Sequence, residues 1–123
     1  MEWIITVDEE SKYVEIVTSG VADESGSLAM AKAIPQALGK YEIKNIIIDH
    51  RNISSVSGKV ADVYSRPKQF QEMGVIHGIK VAVIVKAEHK DFFKFLELIF
   101  VNRGYMYAVF NEKRPALDWL LTS

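Results

Sequence analysis

The sequence of 123 residues contains no cysteine. Disulfide bonds, thiol catalysis and cysteine-ligated zinc or iron–sulfur sites are therefore excluded, and such a composition suits a reducing compartment. No apolar run approaches the roughly 20 residues that a membrane-spanning helix needs. The first residues, Met1 to Ile4, have neither the basic start nor the apolar core of a signal peptide. We therefore expect a soluble, cytoplasmic protein with no membrane span.

An excess of charge of one sign is also missing. The 15 lysine and arginine residues nearly balance the 16 aspartate and glutamate residues, for a net charge of −1. Nothing in that balance attracts nucleic acid or an anionic membrane surface. Hydrophobic residues make up 49% of the chain and charged residues 25%, the proportions of a globular protein. The length predicts a single domain over residues 1–123.

Motifs for catalysis, cofactors and metals are missing as well. The stretch Gly58-Lys59-Val60 lacks the upstream glycine and the hydroxyl residue of a P-loop, and no Gly-x-Gly-x-x-Gly follows an apolar run. The three histidines, His50, His77 and His89, show no metal-binding spacing. We therefore predict no enzyme activity, no cofactor and no metal.

Five β-branched or aromatic runs predict strands: Trp3–Val7, Tyr13–Thr18, Asn45–Asp49, Lys80–Val85 and Tyr105–Phe110. The first two flank a short polar segment and predict an antiparallel hairpin, with Gly20 ending the second strand. The third and fourth are continuous apolar runs, typical of strands buried on both faces. The polar stretch His50–Gly58 predicts a loop after the third strand.

Four helical patterns alternate with these strands. The first covers Leu28–Leu38, with a cap at Asp23, Ser25 or Ser27, a kink or restart at Pro35 and an end at Gly39. The second begins near Ser57, is broken at Pro67, and has these residues on its inner face: Val60, Val63, Tyr64, Phe70 and Met73. The third covers His89–Val101 and ends before Gly104. The last covers Pro115–Leu121 and opens at Asn111 or Glu112.

The element order is therefore ββαβαβαβα. Strands alternating with helices predict an α/β fold with a mainly parallel sheet. Because the opening hairpin adds an antiparallel strand, the sheet is expected to be mixed.

This order, the junction between the third strand and the second helix, and the chain's ending together resemble the SpoIIAA-like (STAS-type) domains. The final helix carries an Ala-x-x-Trp-Leu pattern on Ala116, Trp119 and Leu120, and Pro35 interrupts the first helix. The family is related to the CRAL-TRIO lipid-binding superfamily. The resemblance covers essentially the whole chain and implies a single-layer mixed sheet of four to five strands with helices mainly on one face.

The resemblance also implies a regulatory serine. Anti-sigma-factor antagonists of the STAS type are switched by phosphorylation of a serine at the start of the second helix, within a pattern like Asp-Ser-Ser-Gly. Ser57 stands at that serine's position, followed by Gly58, while Val56 replaces a serine and Ser55 replaces the aspartate. We expect the Ser54–Gly58 segment to be a regulatory loop. The alternative, that Ser57 is only a helix N-cap, stays open.

The third helix is apolar nearly all round, which indicates either deep burial or a covered surface. Its sheet-facing residues are predicted to be Phe92, Phe95, Leu96 and Ile99. Phe93 and Phe100 share a second stripe with Glu97, and we predict that this stripe is a surface for a partner or a ligand. The alternative is that neighbouring loops and the Trp119 helix cover these rings.

Polar residues at strand ends form a last candidate site. Asp49, His50 and His89 follow predicted strands at their carboxyl ends, where ligands of parallel sheets gather. They form a small acid–base or metal site if they converge, although strand ends carry polar residues in any α/β protein.

Together, these features predict a non-enzymatic interaction or regulatory module that contacts another protein or forms a homodimer. The alternative is a carrier of a small apolar ligand such as a lipid or fatty acid. That alternative rests on the aromatic and aliphatic excess around the third helix and on the CRAL-TRIO relationship.

Overall fold

The computed structural model describes residues 1–57, Arg66, Lys68, Gln71 and residues 78–122. The described residues form a five-stranded sheet in the order β1-β2-β3-β4-β5. The strands are β1 Glu2–Asp8, β2 Tyr13–Ala22, β3 Asn45–Val56, β4 Lys80–Ile84 and β5 Met106–Phe110. β1 pairs antiparallel with β2, and every other neighbouring pair is parallel. The predicted hairpin and the mixed sheet are confirmed.

Helices connect or follow the parallel strands. They are α1 Glu24–Tyr41, α2 Lys90–Asn102 and α3 Lys113–Leu121, and a short 3₁₀ turn over Ala87–His89 precedes α2. A further helix was predicted to begin near Ser57, and its predicted inner-face residues lie outside the described residues: Val60, Val63, Tyr64, Phe70 and Met73. Within its predicted range, Arg66, Lys68 and Gln71 are described, and all three are helical.

The faces of the sheet follow from the handedness of the connections. Each parallel strand from β3 to β5 adds to the same side of its predecessor, and right-handed crossovers then place the connecting helices on one face. Accordingly, α1 and α2 pack on one face in the larger core cluster, whereas α3 packs on the opposite face in a smaller one. The prediction of helices mainly on one face is confirmed for the described helices.

β3 is buried on both faces, and so is β4, as predicted. Ile46 and Ile48 point into the larger cluster beneath α1 and α2, and Ile47 points into the smaller cluster beneath α3. Alternation along a strand sends successive side chains to opposite faces, so a continuous apolar run is required where both faces are covered.

β2 and β3 extend further than the sequence indicates. β2 continues through Gly20, whose φ of 86° only glycine adopts easily, and β3 continues to Val56. The loop predicted from His50 is therefore mostly strand. β3 carries one extra residue between the partners of Val17 and Ser19, and another between those of Gly20 and Val21. These two bulges keep the polar stretch paired with β2.

α1 is one helix through Pro35 and past Gly39, contrary to the predicted restart and end. Proline removes one backbone donor, but the helix is held against the sheet by the buried side chains of Met30, Ile34 and Leu38. The cap is Asp23, whose Oδ1 accepts a hydrogen bond from the backbone N–H of Gly26 at 2.7 Å. The helix ends at Glu42, which adopts a left-handed conformation.

Candidate functional site: a cavity beside His50

A cavity of about 50 Å³ lies between the sheet and the helices α1 and α2. Its walls are mostly apolar and include five aromatic side chains: Phe92, Phe93, Phe100, Tyr105 and Tyr107. Besides the two tyrosines, which carry hydroxyl groups, the polar side chains that line it within the described part of the chain are Ser27, His50 and Arg66. An apolar enclosure with a few polar groups is the usual form of a small-molecule site.

The polar groups lie toward the carboxyl ends of the parallel strands. Ser27 is in the first turn of α1, directly after β2, and His50 lies in β3 just beyond the residue that pairs with the end of β4. This is the side of a parallel sheet at which ligands usually bind.

His50 is the central polar residue of the cavity, and it is only 6% exposed. Its Nδ1 lies 2.6 Å from Oγ1 of Thr18, and that hydroxyl donates to the backbone carbonyl of Asp49 at 3.2 Å. A hydroxyl has one proton to donate, so in the tautomer in which Thr18 donates to that carbonyl, Nδ1 carries a proton and donates it to Thr18. Nε2 of the neutral ring then holds a lone pair. The ring also stacks on Phe93, with centroids 4.9 Å apart.

Burial lowers the pKa of His50 to about 4. The nearby negative charge of Asp49 raises this pKa, whereas the charges of Arg66 and His89 lower it further. His50 is therefore neutral at physiological pH, which preserves the hydrogen-bond acceptor at Nε2.

Arg66 and His89 are the other buried basic residues near this site. Arg66 is buried, and its guanidinium carbon lies 5.8 Å from the centre of the Phe92 ring. His89 is 8% exposed in the 3₁₀ turn, and its Nδ1 has no hydrogen-bond partner among the described residues. Both act electrostatically on His50.

The polar cluster predicted from the sequence is thus divided between the two faces of the sheet. His50 and His89 lie together on the α2 side. Asp49 faces the α3 side, with Ile47, and pairs with Arg51 at 2.8 Å. Burial by itself raises the pKa of Asp49, but the hydrogen bonds and charge of Arg51 outweigh it and leave that pKa below its usual value. Because adjacent strand residues point in opposite directions, Asp49 and His50 cannot converge on one ligand.

The prediction that Phe93 and Phe100 form an exposed surface is wrong. Phe93 and Phe100 are 3% and 2% exposed, and Phe100 stacks on Tyr107 at 5.0 Å. Glu97 is half-buried and pairs with Lys94 at 3.0 Å. The helix is rotated by one residue from the predicted frame, because a helix that is apolar nearly all round does not mark its buried face clearly. Both phenylalanines instead line the cavity.

The large apolar residues of α2 that do face outward are Leu98, 57% exposed, and Val101, 50% exposed. They stand one helical turn apart and are neighbours on the helix surface. We call this pair the α2 outer surface.

The serines of the predicted regulatory loop lie at the end of β3. Ser54, Ser55 and Ser57 are exposed, and the hydroxyl of Ser54 donates to the carbonyl of Gly20 at 3.2 Å. The backbone N–H of Ser57 donates to the carbonyl of Ala22 at 2.8 Å, so pairing with β2 continues past Val56. Ser54 and Ser55 are therefore strand residues rather than loop residues, and Gly58 lies outside the described residues.

Sequence reasoning missed Thr18, Ser27 and Arg66 as parts of this site. Thr18 had a detectable signal, because it continues the inward alternation of Val14 and Ile16 as a polar residue. A buried hydroxyl at such a position needs a partner. Nothing in the local sequence distinguishes Ser27 or Arg66 from surface residues.

The described residues were also searched for a metal site and for a membrane-spanning helix. They contain no group of three or more histidine, aspartate or glutamate side chains that could hold a metal ion. None of their helices is both long enough and apolar enough to cross a membrane.

Solved structures share the fold. The chain resembles a protein of the DUF3478 family from Shewanella loihica PV-4, described as uncharacterized and as having a SpoIIAA-like fold. Their TM-score is 0.58 and their identity 21%, over 97% of this chain and 92% of that chain. The chain also resembles the anti-sigma factor antagonist SpoIIAA in its unphosphorylated form, with a TM-score of 0.54 and 14% identity over 96% of each chain. No protein-family model and no curated protein matches the sequence. The fold implied by the predicted resemblance is thus confirmed: the chain has a SpoIIAA-like fold.

Proposed function

We propose that this chain is a non-enzymatic regulatory module that acts through protein–protein contacts and forms a homodimer. The observation that carries the proposal is the full-length SpoIIAA-like fold, shared with a protein named as an antagonist of an anti-sigma factor. The geometry at His50 supports the non-enzymatic part. Its neighbour Thr18 is a hydroxyl residue, but the carboxylate of Asp49 lies on the opposite face, so Asp49 does not act as the orienting acid of a catalytic triad with this pair. The absence of cysteine agrees with action in the cytoplasm.

We assign the contact to the α2 outer surface and the partner to a second copy of the chain. Leu98 and Val101 expose apolar area that a two-fold symmetric dimer would bury against the same residues of the other subunit. Lys94 and Glu97, which pair with each other on the same helix, add no net charge to that contact.

The test compares two substitutions of the same chemistry at different places. Leu98→Asp introduces a charge on the α2 outer surface. As the matched control, Ile4→Asp introduces a charge on β1, where Ile4 is 70% exposed. Native mass spectrometry and light scattering at micromolar concentrations are expected to show a dimer for the wild type and Ile4→Asp, and a monomer for Leu98→Asp. A monomeric wild type, or a dimer that Leu98→Asp leaves intact, contradicts the assignment.

Ser57 remains our proposed regulatory position. It is exposed, and the SpoIIAA structure that shares the fold is described in an unphosphorylated form. A phosphate on Ser57 would add nearly two negative charges beside the end of β3. Peptide mapping of protein purified from its native cells is expected to find phosphate on Ser57, with Ser54 and Ser55 as internal comparisons. If Ser57 is unmodified under all growth conditions, the proposed regulatory role is contradicted, and only the hydrogen bond from its backbone N–H to Ala22 is left.

The second candidate function is a carrier of a small apolar ligand, and the cavity beside His50 supports it. A site of about 50 Å³ is too small for a long acyl chain, so the proposed ligand is a compact molecule rather than a lipid. Mass spectrometry of the freshly purified protein tests it: an adduct present under native conditions and lost on denaturation supports a carrier. An empty protein that also takes up no added apolar compound contradicts it.

A further inference from the structure

We propose that a groove at the carboxyl end of α1 binds a small zwitterion, a molecule whose apolar body carries one ammonium and one carboxylate group, as in an apolar amino acid. The proposal goes beyond the interaction module and depends neither on the dimer nor on the cavity beside His50. We call this site the α1 groove.

The α1 groove lies at the amino ends of β3 and β4, whereas the polar groups of the cavity lie toward the carboxyl ends of the strands. It is formed by the last two turns of α1, the connection from α1 to β3 and the residue before β4. Its volume is about 590 Å³, within the range of about 300–1,000 Å³ that is usual for small-molecule sites. The groove therefore has room for a ligand of the size of an aromatic amino acid.

The floor of the groove is apolar. Leu38, Ile43 and Ile79 line it, and all three are fixed in the larger core cluster. The ring of Pro35 lies beside them and is half-buried. An apolar body resting on these side chains loses its own contact with water, which is the main source of affinity for such a ligand.

Gly39 keeps this space open. It lies inside α1, its φ is not positive, and a Cβ at its position would meet no heavy atom within 4 Å. Neither the backbone conformation nor a close approach therefore requires glycine here, although glycine destabilises a helix interior. Because Gly39 lines the groove, the effect of its missing side chain is to leave the groove unfilled.

Two opposite charges stand at the groove. Glu42 and Lys44 both line it and are exposed, and among the described residues neither side chain has a hydrogen bond or an ion pair. Glu42 also ends α1, whose last carbonyls carry partial negative charge. An ammonium group is therefore attracted to the Glu42 side and a carboxylate to Lys44. A ligand with a single charge would be attracted by one of the two side chains and repelled by the other.

The experiment compares three probes that share a phenyl ring on a two-carbon chain. L-phenylalanine carries both charges, phenethylamine lacks the carboxylate, and 3-phenylpropanoate lacks the ammonium. Binding to the full chain is measured by NMR chemical-shift titration at low salt. Because both protein charges are exposed, we expect L-phenylalanine to bind about two- to fivefold more tightly than either of the other probes.

Two substitutions assign the charges. Glu42→Gln is expected to weaken the binding of L-phenylalanine and phenethylamine about two- to fivefold and not to weaken that of 3-phenylpropanoate. Lys44→Gln is expected to weaken the binding of L-phenylalanine and 3-phenylpropanoate by a similar factor and not to weaken that of phenethylamine. Both side chains are exposed, so both variants are expected to fold.

A third substitution fills the groove. Gly39→Leu places a side chain in the open space and replaces a poor helix former by a good one, so the variant is expected to fold at least as stably as the wild type. We expect it to weaken the binding of all three probes about tenfold or more. Gln36→Leu is the matched control, because Gln36 is exposed on the same helix and does not line the groove. It is expected to leave binding unchanged.

Each outcome decides a part of the proposal. If none of the three probes binds at millimolar concentrations, the groove is not a site for this class of ligand. Equal affinities for all three probes contradict the selection of a zwitterion, and tighter binding of phenethylamine or 3-phenylpropanoate than of L-phenylalanine contradicts it as well. Binding that Gly39→Leu leaves intact, or that Gln36→Leu weakens equally, overturns the assignment to the α1 groove.

Discussion

The buried imidazole of His50 predicts a specific dependence of stability on pH. Its pKa is about 4 in the folded chain, against about 6.5 for a free histidine. Because the folded pKa lies below the unfolded one, the neutral ring contributes fully above pH 6.5, and stability is lost as the pH falls toward 4. At about 1.4 kcal/mol per pKa unit, the loss is about 2 kcal/mol near pH 5 and about 3 kcal/mol at most.

The groups that surround His50 also favour its neutral form, in agreement with the lowered pKa. Burial is the main cause of the lowered pKa, and protonation would add a charge beside Arg66 and His89, with only Asp49 in opposition. The ring would also keep Phe93 as its stacking neighbour, an apolar group that solvates a cation much less well than water does.

The assay is urea unfolding followed by tryptophan fluorescence at pH 7.5 and pH 5, for the wild type and His50→Leu. All carboxylates and the other histidines are common to both proteins, so the difference between their pH responses isolates His50. We expect the wild type to lose about 2 kcal/mol more than the variant. Equal losses in both proteins, or an NMR titration of His50 near pH 6.5, would refute the reasoning.

Three other substitutions, two of them with a comparison variant, test which contacts stabilise the helices. Asp23→Ala removes the side-chain cap of α1 and is expected to lower the free energy of unfolding by about 1 kcal/mol, whereas Asp23→Asn retains most of it; chemical denaturation measures both. The ammonium of Lys80 donates to carbonyls at the end of α3, so Lys80→Met is expected to speed amide exchange in its last turn. Leu120 is buried in the cluster beneath α3, so Leu120→Ala is expected to lower the melting temperature and to reduce the free energy of unfolding by about 2–5 kcal/mol. The same substitution at half-exposed Leu121 is expected to reduce the free energy of unfolding by less than about 1 kcal/mol.

The elements that the sequence predicted well are those whose signal is local. The hairpin follows from two β-branched runs around a polar turn, and the apolar run at Ile46–Ile48 marks a strand covered on both faces. Glu112, one of the two residues predicted to open the last helix, is its N-cap. Each of these patterns depends on a few consecutive residues and on no distant partner.

The sequence-based predictions were wrong where residues far apart in the sequence determine the local structure. Arg51 and Asn52 look like loop residues, but hydrogen bonds from β2 and two bulges hold them in β3. The bulges also put His50 and Ile53, three residues apart, on the same buried face. A period of two cannot anticipate that arrangement, because a bulge shifts the phase of the alternation.

The sequence by itself determined the order along the chain of the described strands and helices. The order of the strands within the sheet, which sets the face on which α1 and α2 pack, was decided by the tertiary structure. Tertiary structure alone decided the candidate site. The rotation of α2 placed Phe93 and Phe100 inside, and the strand pairing brought Thr18 against His50 from 32 residues away. The cavity exists because side chains from separate elements leave a space between them. Local patterns specify which faces are apolar, whereas the gaps between packed faces depend on how all the elements fit together.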